Sequence, residues 1–178
     1  MPILGIIASS FRSAAGPTGA YDSLATVTLS ASTSSITFAG IPSGYKHLQI
    51  RVLSVTNNAS SGASLKFNGD TTSTYYTHAL YGNGTSASVF TNSTNIYVPD
   101  FNGGAATTSP GSAIIDILDY SSNTKNKVVR SLDGYDANGS GYIALTSGLY
   151  ASTAPITSMT FTFSSYLSGT QFALYGVK

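Results

Sequence analysis

The chain has 178 residues, of which 42% are hydrophobic and 8% charged, with a net charge of +1 and no cysteine. An average soluble protein carries about 25% charged residues, so solubility here rests on hydroxyls and amides. These values exclude disulfides, thiolate metal sites, cysteine nucleophiles and the dense cationic surface that nucleic-acid phosphates demand.

The length suits one domain with a sizeable core. Thr, Tyr, Val, Ile and Phe are common, whereas Glu is missing and Lys, Arg and Gln are scarce. Residues of the first group fit pleated sheets and those of the second favour helices, so an all-β fold is expected.

The first stretch, "MPILGIIASSFRSAAGP", is an apolar run followed by small residues. No positive charge precedes the run, Pro2 and Gly5 weaken a helix, and the length is far below the ~20 residues that span a bilayer. A signal peptide or membrane anchor is therefore disfavoured. An N-terminal strand joining the core and an extended arm docking on a neighbour both remain. The small-residue segment that follows favours the arm, with Ile3, Leu4, Ile6, Ile7 and Phe11 as its contact residues. The expected division is an extended arm over 1–20 and a β-sandwich domain over 21–178.

From Tyr21 the chain alternates apolar and polar residues in short segments. "LATVTLS" puts Ala25, Val27 and Leu29 on one side, and "SSITFAGIP" does the same with Ile36 and Phe38. In "YKHLQIRVLSV", Leu48, Ile50 and Val52 point inward while His47, Gln49 and Arg51 point outward. "ASLKFNGD" alternates Leu65 and Phe67 and ends in Asn68-Gly69, a hairpin-type turn signal. "STYYTHALYG" is ambiguous between a helical turn and an irregular crossover. "SAIIDILDY", "NKVVRSL", "GYIALTSGLY", "ITSMTFTFSS" and "TQFALYGVK" complete about nine or ten strands, spaced as in sandwiches and barrels. A two-sheet antiparallel sandwich with jelly-roll connectivity is the expected architecture. No heptad, Gly-X-Y tract or internal repeat occurs.

Residues with catalytic potential are few. His47 and His78 lack any metal-ligand spacing and read as ordinary surface and packing residues. No nucleophile elbow, phosphate loop or dinucleotide fingerprint is present. Asp116 and Asp119 lie three apart on a strand, hence on opposite faces, which excludes a paired-carboxylate catalyst. Asp116 shares its face with Ile114 and Leu118 and should be paired or hydrogen-bonded there. In "LDGYDANGSGY", Asp136, Asn138 and Ser140 match the first half of a calcium loop, but position twelve is Ser147 and the bidentate acid is missing. A hairpin turn is the stronger reading of that stretch, and no cofactor is expected.

The twelve tyrosines supply contact area at low entropic cost together with a hydroxyl suited to a wet edge. Tyr75, Tyr76, Tyr81 and Tyr135 are the candidate surface-contact residues, on loops that could meet protein or glycan. Tyrosine is equally a normal strand residue. The N-x-S/T patterns at Asn58, Asn83, Asn92 and Asn138 are expected by chance in so Ser/Thr-rich a chain.

Several stretches together, "MPILGIIASS", "YDSLATVTLSASTSSITFAGIPSGYKHLQIRV", "FNGD", "AIIDILDYSSNTKNK", "SGLYASTAPITSMTF" and "FALYGVK", resemble small structural proteins of tailed-bacteriophage virions. The resemblance runs through nearly the whole chain. It implies a non-enzymatic virion protein, in first place a capsid decoration (cement) subunit that binds the major capsid protein lattice and assembles as a homotrimer. A tail or fibre component that binds a host glycan is the alternative it implies. Neither nucleic acid nor membrane is an expected partner.

Overall fold

The computed structural model describes residues 19–57, 62–72, 74–98 and 110–178. The arm residues Ile3, Leu4, Ile6, Ile7 and Phe11 lie outside the described residues.

Twelve strands form in chain order: β1 (Tyr21–Thr28), β2 (Thr33–Ala39), β3 (His47–Ser54), β4 (Ala63–Phe67), β5 (Tyr75–Gly82), β6 (Ala87–Asn92), β7 (Ile96–Val98), β8 (Gly111–Leu118), β9 (Lys127–Asp136), β10 (Gly141–Tyr150), β11 (Ser158–Tyr166) and β12 (Gln171–Val177). Among the described residues there is no helix, and hence none long and apolar enough to cross a membrane. The ambiguous "STYYTHALYG" stretch is β5, a regular strand paired on both sides by β10 and β6. Its alternation of buried Tyr75, Thr77 and Ala79 with exposed Tyr76, His78 and Leu80 is a strand period, which the run of aromatic residues obscures in the sequence. Strands β6 and β7 were not expected. The first is mostly exposed and the second has three residues, so neither carries a clear pattern.

The strands make two sheets, of order β1-β12-β3-β8-β9-β10-β5-β6 and β2-β11-β4-β7, with every pairing antiparallel. Strands β1, β12, β3 and β8 form the jelly-roll half of the large sheet, while β7 at the edge of the small sheet packs on the strands beyond it, with the Phe90 ring of β6 4.7 Å from Tyr97 and the Tyr97 N–H donating to the Thr77 hydroxyl of β5 at 3.1 Å. Pairing β1 with β12, β2 with β11, β3 with β8 and β4 with β7 is the connectivity of a jelly roll. Two hairpins, β5–β6 and β9–β10, are inserted into this scheme. They add to the β8 edge and extend the large sheet by four strands beyond the jelly roll.

The core lies where the two sheets overlap, and period-two alternation builds it. Ile36 and Phe38 of β2, Leu48, Ile50 and Val52 of β3, and Leu65 and Phe67 of β4 are all buried as the sequence pattern requires. Phe161 of the small sheet meets Phe172 of the large one with ring centroids 5.0 Å apart, and Tyr166 packs edge-on to Phe172 at 5.5 Å. Contacts of this kind bind the layers more than any hydrogen bond, since each fully buried large apolar side chain contributes about 1.5–3 kcal/mol.

At the Asn68-Gly69 turn both residues have positive φ, 53° and 67°, and the Asp70 N–H donates to the Phe67 carbonyl at 2.9 Å. That is the backbone the dipeptide encodes. The turn does not close a hairpin, however: it carries the chain from β4 in the small sheet to β5 in the large one. Asn68 then pins the β10–β11 loop, its Oδ1 accepting from the Thr157 N–H at 2.9 Å and its Nδ2 donating to the Pro155 carbonyl at 2.9 Å.

Candidate functional site

The candidate residues separate once the strands are placed. Tyr75 is fully buried, which corrects its expected role as a surface contact. Its ring stacks on Tyr150 at 4.9 Å, and its hydroxyl accepts from the Phe67 N–H at 3.0 Å. Burial pushes its phenol pKa up to about 12. Tyr150 donates to Asp70 at 3.0 Å. Asp70 also accepts from the hydroxyl and backbone N–H of Thr72 at 2.6 and 2.8 Å, and these bonds hold its carboxyl down at about 2. This cluster braces the β4–β5 crossover.

Tyr76, Tyr81 and Tyr135 lie in strands β5 and β9 rather than in loops. Tyr76 faces outward and is exposed. Tyr81 and Tyr135 come together through Tyr142, a residue the sequence reading did not single out, with ring centroids 6.3 and 5.9 Å from it. The sequence signal was the cross-strand register, Tyr142 opposite Tyr135, which only the β9–β10 hairpin defines. Tyr135, Tyr142, Asp136 and Asn83 border a shallow hollow of about 300 Å³ between the tips of the two inserted hairpins.

Asp136, Asn138 and Ser140 form the β9–β10 turn. Asn138 and Gly139 take φ of 56° and 102°, and the Ala137 N–H donates to the Ser140 carbonyl at 2.7 Å. Asp136 Oδ1 accepts the Asn138 N–H at 2.8 Å, which is an Asx turn and spends that oxygen on the backbone. Among the described residues, no three His, Cys, Asp or Glu side chains gather as a metal-binding group.

Asp116 accepts from Gln49 Nε2 at 2.9 Å, as its position among apolar neighbours requires. Gln49 Oε1 in turn accepts from Arg51 Nε at 3.0 Å, and the Arg51 guanidinium lies over the Tyr175 ring at 5.0 Å. Gln49 thus points outward as expected but is buried under this network, a correction to the simple in–out reading. Asp119 stands apart beyond the end of β8, with positive φ and with Lys125 Nζ at 2.9 Å and Lys46 Nζ at 3.3 Å. The hydrogen bonds from Lys125 and Lys46 lower its carboxyl pKa. His47 Nδ1 accepts the Asp119 N–H at 3.0 Å and is a structural residue.

Lys127 is a charged side chain that the sequence pattern does not mark as buried. It is fully buried, and its ammonium donates to the carbonyls of Lys125, Ser122 and Thr153 at 2.6, 2.7 and 3.0 Å. Desolvation lowers its pKa. One cation thereby ties the β8–β9 loop to the β10–β11 loop at the root of the sheet extension.

The extension's outer face has a different character. Ile114, Leu132, Leu145, Leu80 and Val89 are directly opposed in register across β8, β9, β10, β5 and β6. All five are exposed, from 46% at Ile114 to 78% at Val89. A polar row, Asp116, Arg130, Ser147, His78 and Thr91, runs beside it in the same register. Ile143, 61% exposed, sits on the other side opposite Gly134. A shallow groove of about 610 Å³ follows this surface over Leu80, Val89 and Leu145, with Arg130, Ser147 and His78 at its floor and rim. Across five strands about 4.8 Å apart the apolar row is roughly 24 Å long, with the polar row along one side of it and Ile143 on the other.

The extension thus carries an apolar row on its outer face, and Tyr81, Tyr135 and Tyr142 on the opposite face near the hairpin tips. The chain matches no family model, no curated protein and no solved structure.

Proposed function

We propose that the protein is a non-catalytic structural protein of a bacteriophage virion, in first place a capsid decoration subunit that binds the major capsid protein lattice and stabilises the head. The observation that carries this reading is the exposed apolar face on the extended sheet. A jelly roll is complete with its first four strands in each sheet. The added hairpins bring Leu80, Leu132, Leu145 and Ile143 outward, where they cost solubility and gain nothing unless another surface covers them. The resemblance in the sequence supplies the virion context and implies assembly of copies on the head as trimers. Under this reading residues 1–16 add contacts to the shell, and Ile3, Leu4, Ile6, Ile7 and Phe11 are their apolar anchors.

Localisation on intact particles by gold-labelled antibody and electron microscopy tests the proposal. Gold distributed over the capsid is the expected result, and gold confined to the tail overturns the head assignment. Deleting residues 1–16 is expected to leave a folded domain that no longer decorates capsids; undiminished decoration removes the arm from the proposal.

The hollow formed by Tyr135, Tyr142 and Asp136 favours the second reading, a tail component that binds a host glycan. Tyrosine faces beside a carboxylate suit the apolar faces and hydroxyls of a sugar. Tyr142→Ala and Tyr135→Ala should then abolish binding to a glycan array or to host cells. An array and cells that retain no wild-type protein would dismiss this reading.

A further inference from the structure

We infer that Asn138 is a site of spontaneous covalent modification, its amide converting to a mixture of aspartate and isoaspartate through a cyclic imide closed by the Gly139 nitrogen. The inference stands whether or not the protein sits on a capsid, because it rests on the backbone and bonding of the Asn-Gly turns. Four Asn-Gly dipeptides occur in the chain, at Asn68, Asn83, Asn102 and Asn138. Asn102 lies outside the described residues. The other three are all exposed, so access to water does not separate them. Backbone and bonding do.

A following glycine puts no side chain in the way of the attack and leaves its own backbone free to turn. The Gly139 nitrogen bonds to Asn138 Cγ as the Cγ–Nδ2 bond breaks. The Gly139 amide proton passes through water to the leaving group, and ammonia departs. Water then opens the ring. Cleavage between the Gly139 nitrogen and Cγ leaves aspartate. Cleavage between that nitrogen and the Asn138 carbonyl carbon leaves isoaspartate, with the chain running through Cγ. No electrons are transferred, and water is the only co-reactant.

The planar ring fixes ψ at about −120° and accepts φ of about +60°, the first central values of a type II′ turn. Asn138 and Gly139, with φ of 56° and 102°, form a type I′ turn. The two turn types differ by rotation of the peptide between their central residues. Asn138 therefore reaches the reactive backbone while the Ala137–Ser140 bond and the Asp136–Asn138 Asx turn stay in place. Its side chain is free to follow: among the described residues, the Asn138 amide group makes no hydrogen bond.

Asn68 has nearly the same backbone, with φ of 53° and Gly69 at 67°, yet its amide is occupied. Oδ1 accepts the Thr157 and Ser158 N–H groups at 2.9 and 3.2 Å, and Nδ2 donates to the Pro155 carbonyl at 2.9 Å. Asn83 precedes its turn and is not left-handed. Its N–H donates to the Ser86 carbonyl at 3.2 Å, and its Oδ1 accepts the Thr85 and Ser86 N–H groups at 3.0 and 2.9 Å. Ring closure at either residue first breaks these bonds; at Asn138 it breaks none. The product sets a second carboxylate two residues from Asp136, on the turn whose Gly139 and Ser140 border the hollow beside Tyr135.

The test ages the full chain in mildly alkaline buffer and maps its peptides by mass spectrometry, with synthetic aspartate and isoaspartate peptides as chromatographic standards. Asn138 should convert first, with isoaspartate among its products. The bonds to Thr157, Ser158 and Pro155 should slow conversion at Asn68 by roughly a hundredfold relative to Asn138. A parallel sample unfolded in urea removes those bonds, and there Asn68, Asn83 and Asn138 should convert at similar rates. Folded protein in which Asn68 or Asn83 converts as fast as Asn138 would overturn the inference. So would an Asn138 that keeps its amide while the unfolded chain loses it. Aspartate without isoaspartate at position 138 would overturn the cyclic imide, since direct hydrolysis of the side chain leaves the backbone unchanged.

Discussion

Replacing Lys127 with methionine separates two effects that act in opposite directions at the root of the sheet extension. The methionine keeps an unbranched apolar stem in the same buried space and deletes the ammonium. Three short bonds are lost, to the carbonyls of Lys125, Ser122 and Thr153 at 2.6, 2.7 and 3.0 Å. Hydrogen bonds to a charged group contribute about 1.5–3 kcal/mol each, so their sum is roughly 5–9 kcal/mol. Against this stands the cost of keeping the ammonium out of water, several kcal/mol, which the substitution relieves. The carbonyls left behind favour the wild type, and the net loss should be about 2–4 kcal/mol. For a chain of this length each kcal/mol moves the melting temperature by about 2–4 °C, so a fall of about 5–15 °C is expected in a thermal melt followed by circular dichroism. A Lys127→Met protein that melts at or above the wild-type temperature would refute the reasoning, since desolvation would then outweigh the three bonds.

Three further outcomes follow from the geometry. The Asp70 carboxyl is held at about 2, first by the Thr72 hydroxyl and then by the Thr72 N–H, below its ordinary 3.8. The unfolded chain therefore takes up the proton first as pH falls, and the stability that Asp70 contributes is complete above pH ~4 and lost on descending to pH ~2. Asp70→Asn should flatten the dependence of melting temperature on pH across that window; an unchanged slope would remove Asp70 as its source. Tyr75→Ala should cost about 3–5 kcal/mol in urea unfolding, while Tyr76→Ala next to it stays within about 0.5 kcal/mol, a contrast set by burial alone. Gly134→Ala would place a Cβ 2.5 Å from the Tyr142 carbonyl oxygen, so it should destabilise the β9–β10 hairpin by at least about 1–3 kcal/mol, read from hydrogen exchange of the hairpin amides.

Much of the architecture is legible in the chain because period-two alternation is a local property. Ala25 and Val27, Ile36 and Phe38, and Leu65 and Phe67 declare both a strand and its inward face, and Asn68-Gly69 declares its turn. Asp116 declares its need for a partner and finds it in Gln49. The β9–β10 turn is readable for the same reason, since Asn138 and Gly139 encode positive φ without help from distant residues. Where both faces of a strand are apolar, the local signal fails. In β9, Val129 is buried while Val128 and Leu132 are exposed, and in β10 exposed Ile143 and Leu145 flank buried Ala144. Tyr75 and Tyr76 are chemically identical neighbours, and only the stack on Tyr150 decides which one is inside.

The sequence by itself determined an all-β chain, the inward face of its jelly-roll strands and the conformation of its tightest turns, because each depends on residues only a few positions apart. Tertiary structure alone decided that β5–β6 and β9–β10 extend one sheet beyond the other, that Lys127 is buried among loop carbonyls, and that four leucine and isoleucine side chains from four strands form one exposed row. Those features arise from pairings between strands far apart in the chain. Backbone hydrogen bonds are alike at every residue, so partner and register are chosen by the total surface that folding buries.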